Sequence, residues 1–327
     1  MKQFILHMLL LASFTGITIW GLYESNNEPP QRIKNLEAKK GRIQIVNLGT
    51  SHGGDFDYTN CELVPMYFNN AGNTLYYDLH NYLYLLEGNY LAPRAIVLIP
   101  VSYFVFGLDE NRLDGHLDAP FVNRYYQYLP AKHIYDYSLS KDLELKTARV
   151  QANFFGLLGT EQPQSEIPEP QGRDEEFMKN WPKSQGKEAE LIYHAKHRSR
   201  RHKELALAQN PDKGISYLNR LVESVKEAEH VPVLITPPYF EAYSKGFGEN
   251  WLDSNYFSVM RSIALDQNVR YSNYSHHDAF LHQADLFKDS DHLNDKGRTL
   301  FSEMLFDELK EEFEWAKQAS SEPVSLH

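Results

Sequence analysis

A chain of 327 residues with 42% hydrophobic side chains can bury one large core, or one core with a sizeable insertion, and is neither disordered nor collagen-like. Its formal net charge of −11 at pH 7 argues against a nucleic acid as the main partner. The single cysteine, Cys61, excludes an intrachain disulfide but does not indicate a redox compartment.

The first segment with a clear pattern is the apolar run at residues 4–23, which follows one early lysine, Lys2. About twenty apolar residues can cross a bilayer as a helix, and no small-residue cleavage site follows Trp20. We therefore predict an uncleaved signal anchor at residues 1–23, with the body exported and held at the inner cell membrane as a single-pass protein. Signal cleavage and release as a secreted or periplasmic protein is the alternative. The positive-inside count alone favours the opposite orientation, because basic residues follow the span at positions 32, 34, 39, 40 and 42.

Residues 24–42 are polar, contain two prolines and are predicted to be a linker. Strand and helix patterns then alternate. The order is a buried strand (RIQIVNLG), a short strand (PMYFNNAGN), a helix with Thr74 as its N-cap (TLYYDLHNYLYLLEGN) and a central strand that is apolar on both faces (PRAIVLIPVSYFVFG).

A helical insertion at about residues 109–211 interrupts this alternation. Its two helix patterns, SKDLELKTARVQANFFGLLG and KEAELIYHAKHRSRRHKELALAQ, flank a polar segment at 160–176 that is predicted to be a surface loop. The second pattern contains a basic run at residues 194–204. We interpret this run as a solvated helix face, with contact to an anionic polymer or to lipid headgroups as the alternative.

The alternation resumes after the insertion. The next elements are a helix (GISYLNRLVESVKEAEH), a strand (VPVLITPP), a helix (NWLDSNYFSVMRSIALDQ), a short strand (VRYSNY) and a final amphipathic helix (KGRTLFSEMLFDELKEEFEWAKQ). Strands separated by helices predict βαβ units. We therefore predict an α/β domain over residues 43–320, with a mainly parallel sheet and helices on both of its faces.

Two short motifs at opposite ends of this pattern contain the candidate catalytic residues. Ser51 lies in the turn GTSHGG just after the first strand, and the sites of parallel sheets form at the carboxyl ends of strands. Asp289 and His292 lie three residues apart in DSDH, immediately before the last helix. A serine hydroxyl becomes a nucleophile when a histidine, oriented by a carboxylate, takes its proton. We predict these roles for Ser51, His292 and Asp289, with Asp291 as the alternative acid.

The neighbouring residues support weaker predictions. His52 is interpreted as a structural or substrate-side residue, and Gly53 and Gly54 as room for substrate. The histidines at positions 276, 277, 282 and 292 lack the spacing of a metal site. We therefore predict neither a metal nor another cofactor. A metal-dependent hydrolase is the functional hypothesis with the least support from the sequence.

Together the two motifs resemble those of the SGNH (GDSL-like) hydrolase superfamily. Gly49-Thr50-Ser51 matches its Gly-x-Ser turn, residues 289–292 match its Asp-x-x-His before the last helix, and Gly72 in NNAGNT matches its second-block glycine. The resemblance spans about residues 43–317. It implies a three-layer α/β/α, flavodoxin-like SGNH fold and an oxyanion hole that includes the backbone amides of Ser51 and Gly72.

One block of that superfamily, Gly-x-Asn-Asp, is absent, since the chain has IPVSYFVFG at the corresponding place. The side-chain amide of the oxyanion hole is then missing or comes from elsewhere. The candidate substitutes for this donor are Ser102, Asn70 and Asn73, and we include Asn73 among the predicted oxyanion donors. Loss of one such donor costs roughly 3–4 kcal/mol of transition-state stabilisation. This gap supports a second hypothesis, a catalytically inactive SGNH-like module that binds glycan or scaffolds an acyltransferase complex.

Because it lacks the Gly-x-Asn-Asp block and has a predicted N-terminal anchor, the chain is most similar to the membrane-anchored SGNH-like proteins that take part in the acylation of cell-surface polysaccharides or teichoic acids. This resemblance implies a serine-dependent acyl-ester hydrolase or O-acyltransferase that acts on a cell-surface glycan or other polymer. It also implies a membrane-bound O-acyltransferase as a partner.

Overall fold

The computed structural model describes residues 30–111, 121–157 and 186–321. The predicted anchor at 1–23 and the surface loop at 160–176 lie outside these ranges. Within them, no helix has the length and apolarity that crossing a bilayer requires. The described residues belong to two compact units, one within residues 1–35 and 122–170 and the other within residues 36–121 and 171–327.

The second unit contains a sheet of five described strands, all parallel, in the order β2-β1-β3-β4-β5. The strands are β1 (Ile43–Asn47), β2 (Pro65–Tyr67), β3 (Leu91–Pro100), β4 (Val231–Thr236) and β5 (Arg270–Asn273). This is the flavodoxin-like strand order, whose switch point lies between β1 and β3. Ligands bind such sheets in the crevice at the carboxyl ends of the strands beside the switch point. The serine that follows β1 is therefore at this crevice.

The described helices comprise one that precedes the first strand in chain order and others that follow β2 or later strands. They are α1 (Gln31–Ala38), α2 (Leu75–Glu87), α3 (Leu139–Leu157), α4 (Lys187–Ala206), α5 (Pro211–Glu227), α6 (Glu241–Phe247), α7 (Glu249–Leu252), α8 (Ser258–Gln267), α9 (Asp295–Glu308) and α10 (Lys310–Ser321). A π-helical turn (Asp253–Phe257) joins α7 to α8. Short 3-10 helices are Ser51–Asp55, Val105–Gly107, Phe121–Gln127, Ala131–His133 and Ala284–Leu286.

Helices cover both faces of the sheet. On one face, Leu98 and Ile235 share a buried cluster with Phe301 of α9 and Phe313 of α10. Because successive side chains of a strand point to opposite faces, Leu234 belongs to the other face, where α5 contacts β4 and α2 contacts α5. The prediction of an α/β domain with a mainly parallel sheet and two helical layers is confirmed.

Some boundaries differ from those predicted. The final amphipathic pattern forms two helices, α9 and α10, because the backbone turns at the buried residue Leu309 and so brings α10 against β3. The central strand ends at Pro100 rather than running on to Gly107, and residues 105–107 form a 3-10 helix. Helix α1 lies within the range predicted to be a linker, where Leu36 is fully buried. The earlier end of the central strand places Ser102 after the carboxyl end of β3 rather than within it.

The described part of the first unit contains α3 and short 3-10 helices joined by turns. The start of α3 is fixed by Asp142, which accepts hydrogen bonds from Tyr137 and Lys146, both at 2.8 Å. The helix α4 of the predicted insertion belongs instead to the second unit, the unit that contains the candidate site.

Candidate active site

Ser51 lies in a sharp turn at the end of β1, which we call the serine turn (residues 48–55). Gly49 has a φ of +96°, and a Cβ at this position would lie 2.9 Å from the carbonyl oxygen of Pro100. Glycine tolerates both conditions, whereas any side chain would be strained. A 3-10 helix begins at Ser51, and the Thr50 hydroxyl accepts a hydrogen bond from the His52 amide at 3.4 Å. This conformation leaves Ser51 partly exposed at the crevice.

Helix α2 and the loop after β2 hold the serine turn in place. Asp78, in the first turn of α2, accepts hydrogen bonds from the Gly49 amide at 2.7 Å and from the side chain of Asn73. The side chain of Asn69 donates to the Thr50 carbonyl at 3.3 Å. Burial raises the pKa of Asp78 to about 7, although its two hydrogen bonds act in the opposite direction.

His292 lies in a second turn, the histidine loop (residues 287–294), which Asp289 organises. One carboxylate oxygen of Asp289 accepts hydrogen bonds from the amides of Asp291 at 3.1 Å and His292 at 2.9 Å. The same oxygen lies 2.9 Å from Nδ1 of the His292 ring. A single carboxylate therefore fixes both the backbone of the loop and the orientation of its imidazole.

Helix α9 starts directly after the histidine loop. Asn294 is its N-cap and accepts a hydrogen bond from the Gly297 amide at 3.0 Å. A Cβ at Gly297 would lie 2.2 Å from the carbonyl oxygen of Leu286, so only glycine permits this close approach. Asn294 therefore caps α9, and Gly297 permits the close contact between the start of the helix and Leu286.

The fold brings the three predicted catalytic side chains together although Ser51 and His292 are 241 residues apart. The Ser51 Oγ atom lies 2.8 Å from Nε2 of His292. The two carboxylate oxygens of Asp289 lie 2.9 and 3.1 Å from Nδ1, whereas the nearest oxygen of Asp291 lies 3.8 Å from it. Because an ionised carboxylate can only accept, Nδ1 carries a proton, and Nε2 of the neutral ring accepts the Ser51 hydroxyl proton in a hydrogen bond.

The electrostatic environment of His292 favours its protonated form. Burial lowers its pKa, but the charges of Asp289 and Asp291 and the hydrogen bond to Asp289 outweigh burial and raise the pKa to about 9. Burial raises the pKa of Asp289, but the charge of His292, the hydrogen bond to it and the charge of Arg198 together bring the pKa of Asp289 below its usual value. The pair is thus arranged to take up a proton at His292.

A second set of polar groups lies behind the triad, around His52. The His52 side chain is fully buried, and its ring stacks on that of His292 with the centroids 4.6 Å apart and the planes 13° from parallel. Its Nδ1 atom lies 2.7 Å from the Ser102 hydroxyl and 3.1 Å from the Thr50 hydroxyl. Its Nε2 atom lies 3.4 Å from Asp291. The structural interpretation of His52 fits these contacts.

Helix α4 supplies the other partners of the histidine loop. Arg198 lies 3.2 Å from one oxygen of Asp291 and donates to the other at 3.3 Å. His194 lies 2.8 Å from the Ser290 hydroxyl, and His202 lies 3.8 Å from Asp291. The interpretation of residues 194–204 as a solvated face is therefore wrong for these three side chains, which contact the histidine loop. Arg198 supplies the counter-charge that the buried carboxylate of Asp291 requires.

The predicted oxyanion donors have different surroundings. Gly72, with a φ of +67°, lies in the loop after β2, and the Asn70 amide of that loop donates to the Gly49 carbonyl at 3.0 Å. The loop therefore runs beside the serine turn. Asn73 is fully buried and donates to Asp78, so we assign it to the support of the turn rather than to the oxyanion hole. Ser102 is likewise fully buried against His52.

Gly53 has a packing role. A Cβ at Gly53 would lie 2.4 Å from both the Asn69 side chain and the Leu48 carbonyl oxygen. The space beside this glycine is therefore filled by the protein, and the interpretation of Gly53 as room for substrate is wrong. Gly54 is less crowded, since its nearest neighbour in the loop after β2 is the Asn69 side chain at 3.7 Å.

Two overlapping groups of side chains in the described part of the chain have metal-ligand atoms within 4.8 Å of one another: His52 with Asp291 and His292, and His194 with Asp289 and Asp291. Ligand atoms in both groups already contact other protein side chains. Asp291 is paired with Arg198, a cation that a metal ion would have to displace, and the Nδ1 atom of His292 is bonded to Asp289. The donor set fits a hydrogen-bonded network around a general base better than it fits a metal centre.

Sequence reasoning missed the contribution of α4 to the site. The available signal is the spacing of His194, Arg198 and His202, since residues four apart lie on one face of a helix. The small residues Ala195 and Ser199 flank that face and are buried with it. A basic helix segment in which polar residues recur every four positions beside small residues thus indicates a buried helix face that contacts an acidic group.

No protein-family model matches the chain, and no curated protein matches it. Solved structures that are similar to it include a GDSL-like lipase from Bacteroides thetaiotaomicron, 10% identical with a TM-score of 0.41, over 86% of this chain and 96% of that one. A psychrotrophic esterase from Pseudoalteromonas sp. is 16% identical with a TM-score of 0.37, over 82% of this chain and 97% of that one. Because these identities and TM-scores are low, the proposal below rests on the geometry of the site.

Proposed function

We propose that this protein is a serine-dependent enzyme of acyl-ester chemistry in which Ser51 is the nucleophile. The observation that supports this most directly is the continuous contact from Ser51 Oγ through the His292 ring to Asp289, at 2.8 and 2.9 Å. Nucleophile, base and orienting acid within hydrogen-bond reach are the signature of an activated serine. Their position at the carboxyl end of β1, beside the switch point of the sheet, is where a substrate can reach them.

The proposed reaction has two halves. Ser51 Oγ attacks the carbonyl carbon of an ester while its proton passes to Nε2 of His292, and the leaving alcohol takes that proton as the carbon–oxygen bond of the ester breaks. An acyl group then remains on Ser51. A second hydroxyl, from water or from an acceptor, gives its proton to His292 and attacks the acyl carbon. The bond between the acyl carbon and Ser51 Oγ then breaks, and Ser51 Oγ takes the proton back from His292. Asp289 holds the Nδ1–H tautomer throughout and stabilises the imidazolium.

The oxyanion of each tetrahedral intermediate needs donors that point at it. We propose the backbone amides of Ser51 and Gly72. Ser51 begins a 3-10 helix, and Gly72 lies in the loop that is hydrogen-bonded to the Gly49 carbonyl. The side-chain amide that the Gly-x-Asn-Asp block would supply has no counterpart in the sequence IPVSYFVFG. We expect an enzyme with a two-amide hole to be slower than one with a third donor by about 100- to 1,000-fold.

For the substrate, we propose an acyl ester of a cell-surface glycan or polymer, with transfer to a glycan hydroxyl as the second half-reaction. The support is the resemblance of the sequence motifs to the membrane-anchored SGNH-like proteins, together with the apolar run at residues 4–23. We propose the same apolar run as the attachment to the inner membrane, and a membrane-bound O-acyltransferase as the partner that supplies the acyl group.

The test is turnover of p-nitrophenyl acetate by the purified full chain, with and without a soluble oligosaccharide as acceptor. Ser51→Ala is expected to abolish turnover, because no other nucleophile is aligned with His292 among the described residues. The matched control, Ser254→Ala, changes an exposed serine and is expected to have no effect. Acetylated oligosaccharide indicates transfer, and acetate alone indicates hydrolysis. Turnover that survives Ser51→Ala, or a folded wild type without any turnover, contradicts the proposal.

A further inference from the structure

Asp291 is a buried acid next to the triad that the proposed reaction does not use. Its side chain is fully buried, whereas that of Asp289 is 24% exposed. One oxygen of Asp291 lies 3.8 Å from Nδ1 of His292, too far for a hydrogen bond but close enough for a strong charge interaction. His292 therefore faces two carboxylates, one that bonds to it and one that acts on it through space.

The charge of Asp291 is partly balanced by Arg198 of α4, 3.2 Å away. The Arg198 side chain is 16% exposed, so solvent screens this pair only weakly. Burial alone would raise the pKa of Asp291, but the charge of Arg198 and that of His292 hold it well below its usual value. Asp291 is consequently ionised whenever His292 needs to bind a proton.

His52 connects this pair to the face of the catalytic ring. Its Nε2 atom lies 3.4 Å from Asp291, and its own ring stacks on that of His292. Burial lowers the pKa of His52, which keeps the ring neutral. A neutral His52 fills the space beneath His292 without repelling the imidazolium, and it leaves Asp291 as the group that compensates the new charge.

We propose that Asp291 and Arg198 are positioning residues that together set the proton affinity of His292, with Asp291 strengthening it and Arg198 limiting it. This inference deepens the proposed function and rests on it for its meaning in catalysis. Helix α4, which the sequence predicts to be part of an insertion, thereby changes the proton affinity of His292 through Arg198, which lies 3.2 Å from Asp291.

The titratable and charged groups around His292 come from several elements. From the histidine loop they are Asp289 and Asp291; from the serine turn, His52 and Asp55; and from α4, Arg198 and His202. Asp55 accepts a hydrogen bond from the Leu293 amide at 3.3 Å, and burial raises its pKa to about 7. Burial holds the pKa of His202 well below its usual value. Arg198 is therefore the permanent positive charge nearest to Asp291 in this set.

The experiment is an NMR titration of the His292 ring in the full chain, with its signals assigned by their loss in His292→Gln. Asp291→Asn removes the through-space charge and is expected to lower the pKa of His292 by about 1–2 units. Arg198→Met removes the limiting charge and is expected to raise it. The control Asp295→Asn removes the same charge three residues from His292, but that side chain is fully exposed, and we expect no shift.

Single variants that break a buried ion pair can fail to fold. Two further variants keep the proposal testable in that case. Arg198→Lys retains a positive charge and is expected to leave the pKa of His292 close to that of the wild type. The double variant Asp291→Asn/Arg198→Met buries no unpaired charge and is expected to lower the pKa by less than Asp291→Asn. An unchanged pKa in the folded Asp291→Asn or double variant overturns the proposal and leaves a purely structural ion pair.

The pH profile of kcat/KM for ester turnover provides a second readout. We expect its acidic limb to move to lower pH in Asp291→Asn by the same shift that NMR measures. If the NMR pKa shifts while the wild type shows no Ser51-dependent turnover, the proposed function fails and the charge coupling stands. If turnover depends on Ser51 and the pKa of His292 does not move, only the inference fails.

Discussion

The serine turn and the histidine loop present the two reacting side chains, but the protein supports them in different ways. The serine turn is held by α2 and by the loop after β2, through Asp78 and Asn69, which are bonded to its backbone. The histidine loop is held by Asp289 from within and by α4 from outside, through Arg198 and His194. One half of the site thus belongs to the core of the α/β fold. The other depends on a helix inserted between two of its strands.

The strongest way to test the importance of the histidine loop is to remove its catalytic groups. We expect His292→Gln and Asp289→Asn to lower kcat for p-nitrophenyl acetate by about 1,000- to 10,000-fold, because the proton acceptor or its tautomer is lost. Steady-state kinetics of the purified variants measures this loss, and far-UV circular dichroism checks that each variant is folded. A loss below tenfold in a folded variant argues against the triad.

The same loop should determine the pH dependence of the reaction. With a pKa of about 9, His292 is mostly protonated at neutral pH and cannot accept the Ser51 proton. We expect kcat/KM to fall by about tenfold per pH unit below that pKa and to level off above it. A profile that is flat from pH 6 to pH 9 contradicts this assignment.

The raised pKa of His292 also affects stability. The folded state binds the proton more tightly than the unfolded chain does, so this group stabilises the fold fully below the ordinary histidine pKa of 6.5. That contribution is lost as the pH rises through about 9.

The serine turn is best tested through Asp78, which satisfies two donors from one buried carboxyl group. Asp78→Ala leaves the Gly49 amide and the Asn73 side chain without this acceptor and is expected to lower the free energy of unfolding by about 1–3 kcal/mol for each buried donor. Asp78→Asn retains an acceptor oxygen and is the matched control, with a smaller expected loss. Chemical denaturation of both variants measures the difference, and equal losses would show that the acceptor is unimportant.

The smallest expected effect concerns the outer support of the histidine loop. His194→Ala removes the partner of the Ser290 hydroxyl and is expected to lower the free energy of unfolding by about 1 kcal/mol. Lys196→Ala changes an exposed side chain of the same helix and should change it by less than half as much. If the two variants are indistinguishable, the contact between α4 and the loop contributes little to stability.

Much of the fold and each half of the predicted triad could be predicted because the signals of the strands, helices and the two motifs are local. Apolar runs separated by helical periodicity indicate parallel strands, and Gly49 before Ser51 indicates a turn at a strand end. The pairing of Asp289 with His292 is a contact over three residues and so is visible in the sequence.

The remaining features depend on contacts between distant residues. Asp291 and Arg198 are 93 residues apart, so the four-residue spacing on α4 can indicate a buried helix face but does not identify Asp291 as the partner of Arg198. The break between α9 and α10 at Leu309 has neither a glycine nor a proline to mark it. Asn73 has the side-chain amide that an oxyanion donor needs, but only the fold shows that this amide donates its hydrogen bond to Asp78.

The most direct test of the central claim is the location of the covalent adduct that a fluorophosphonate forms with the full chain. These reagents phosphonylate serines that a neighbouring base activates. Peptide mass spectrometry is predicted to find the phosphonyl group on Ser51, in the wild type and in Ser254→Ala, and to find no adduct in Ser51→Ala. An adduct on another residue, or an unmodified Ser51 in folded protein under conditions that label a control esterase, would contradict the account.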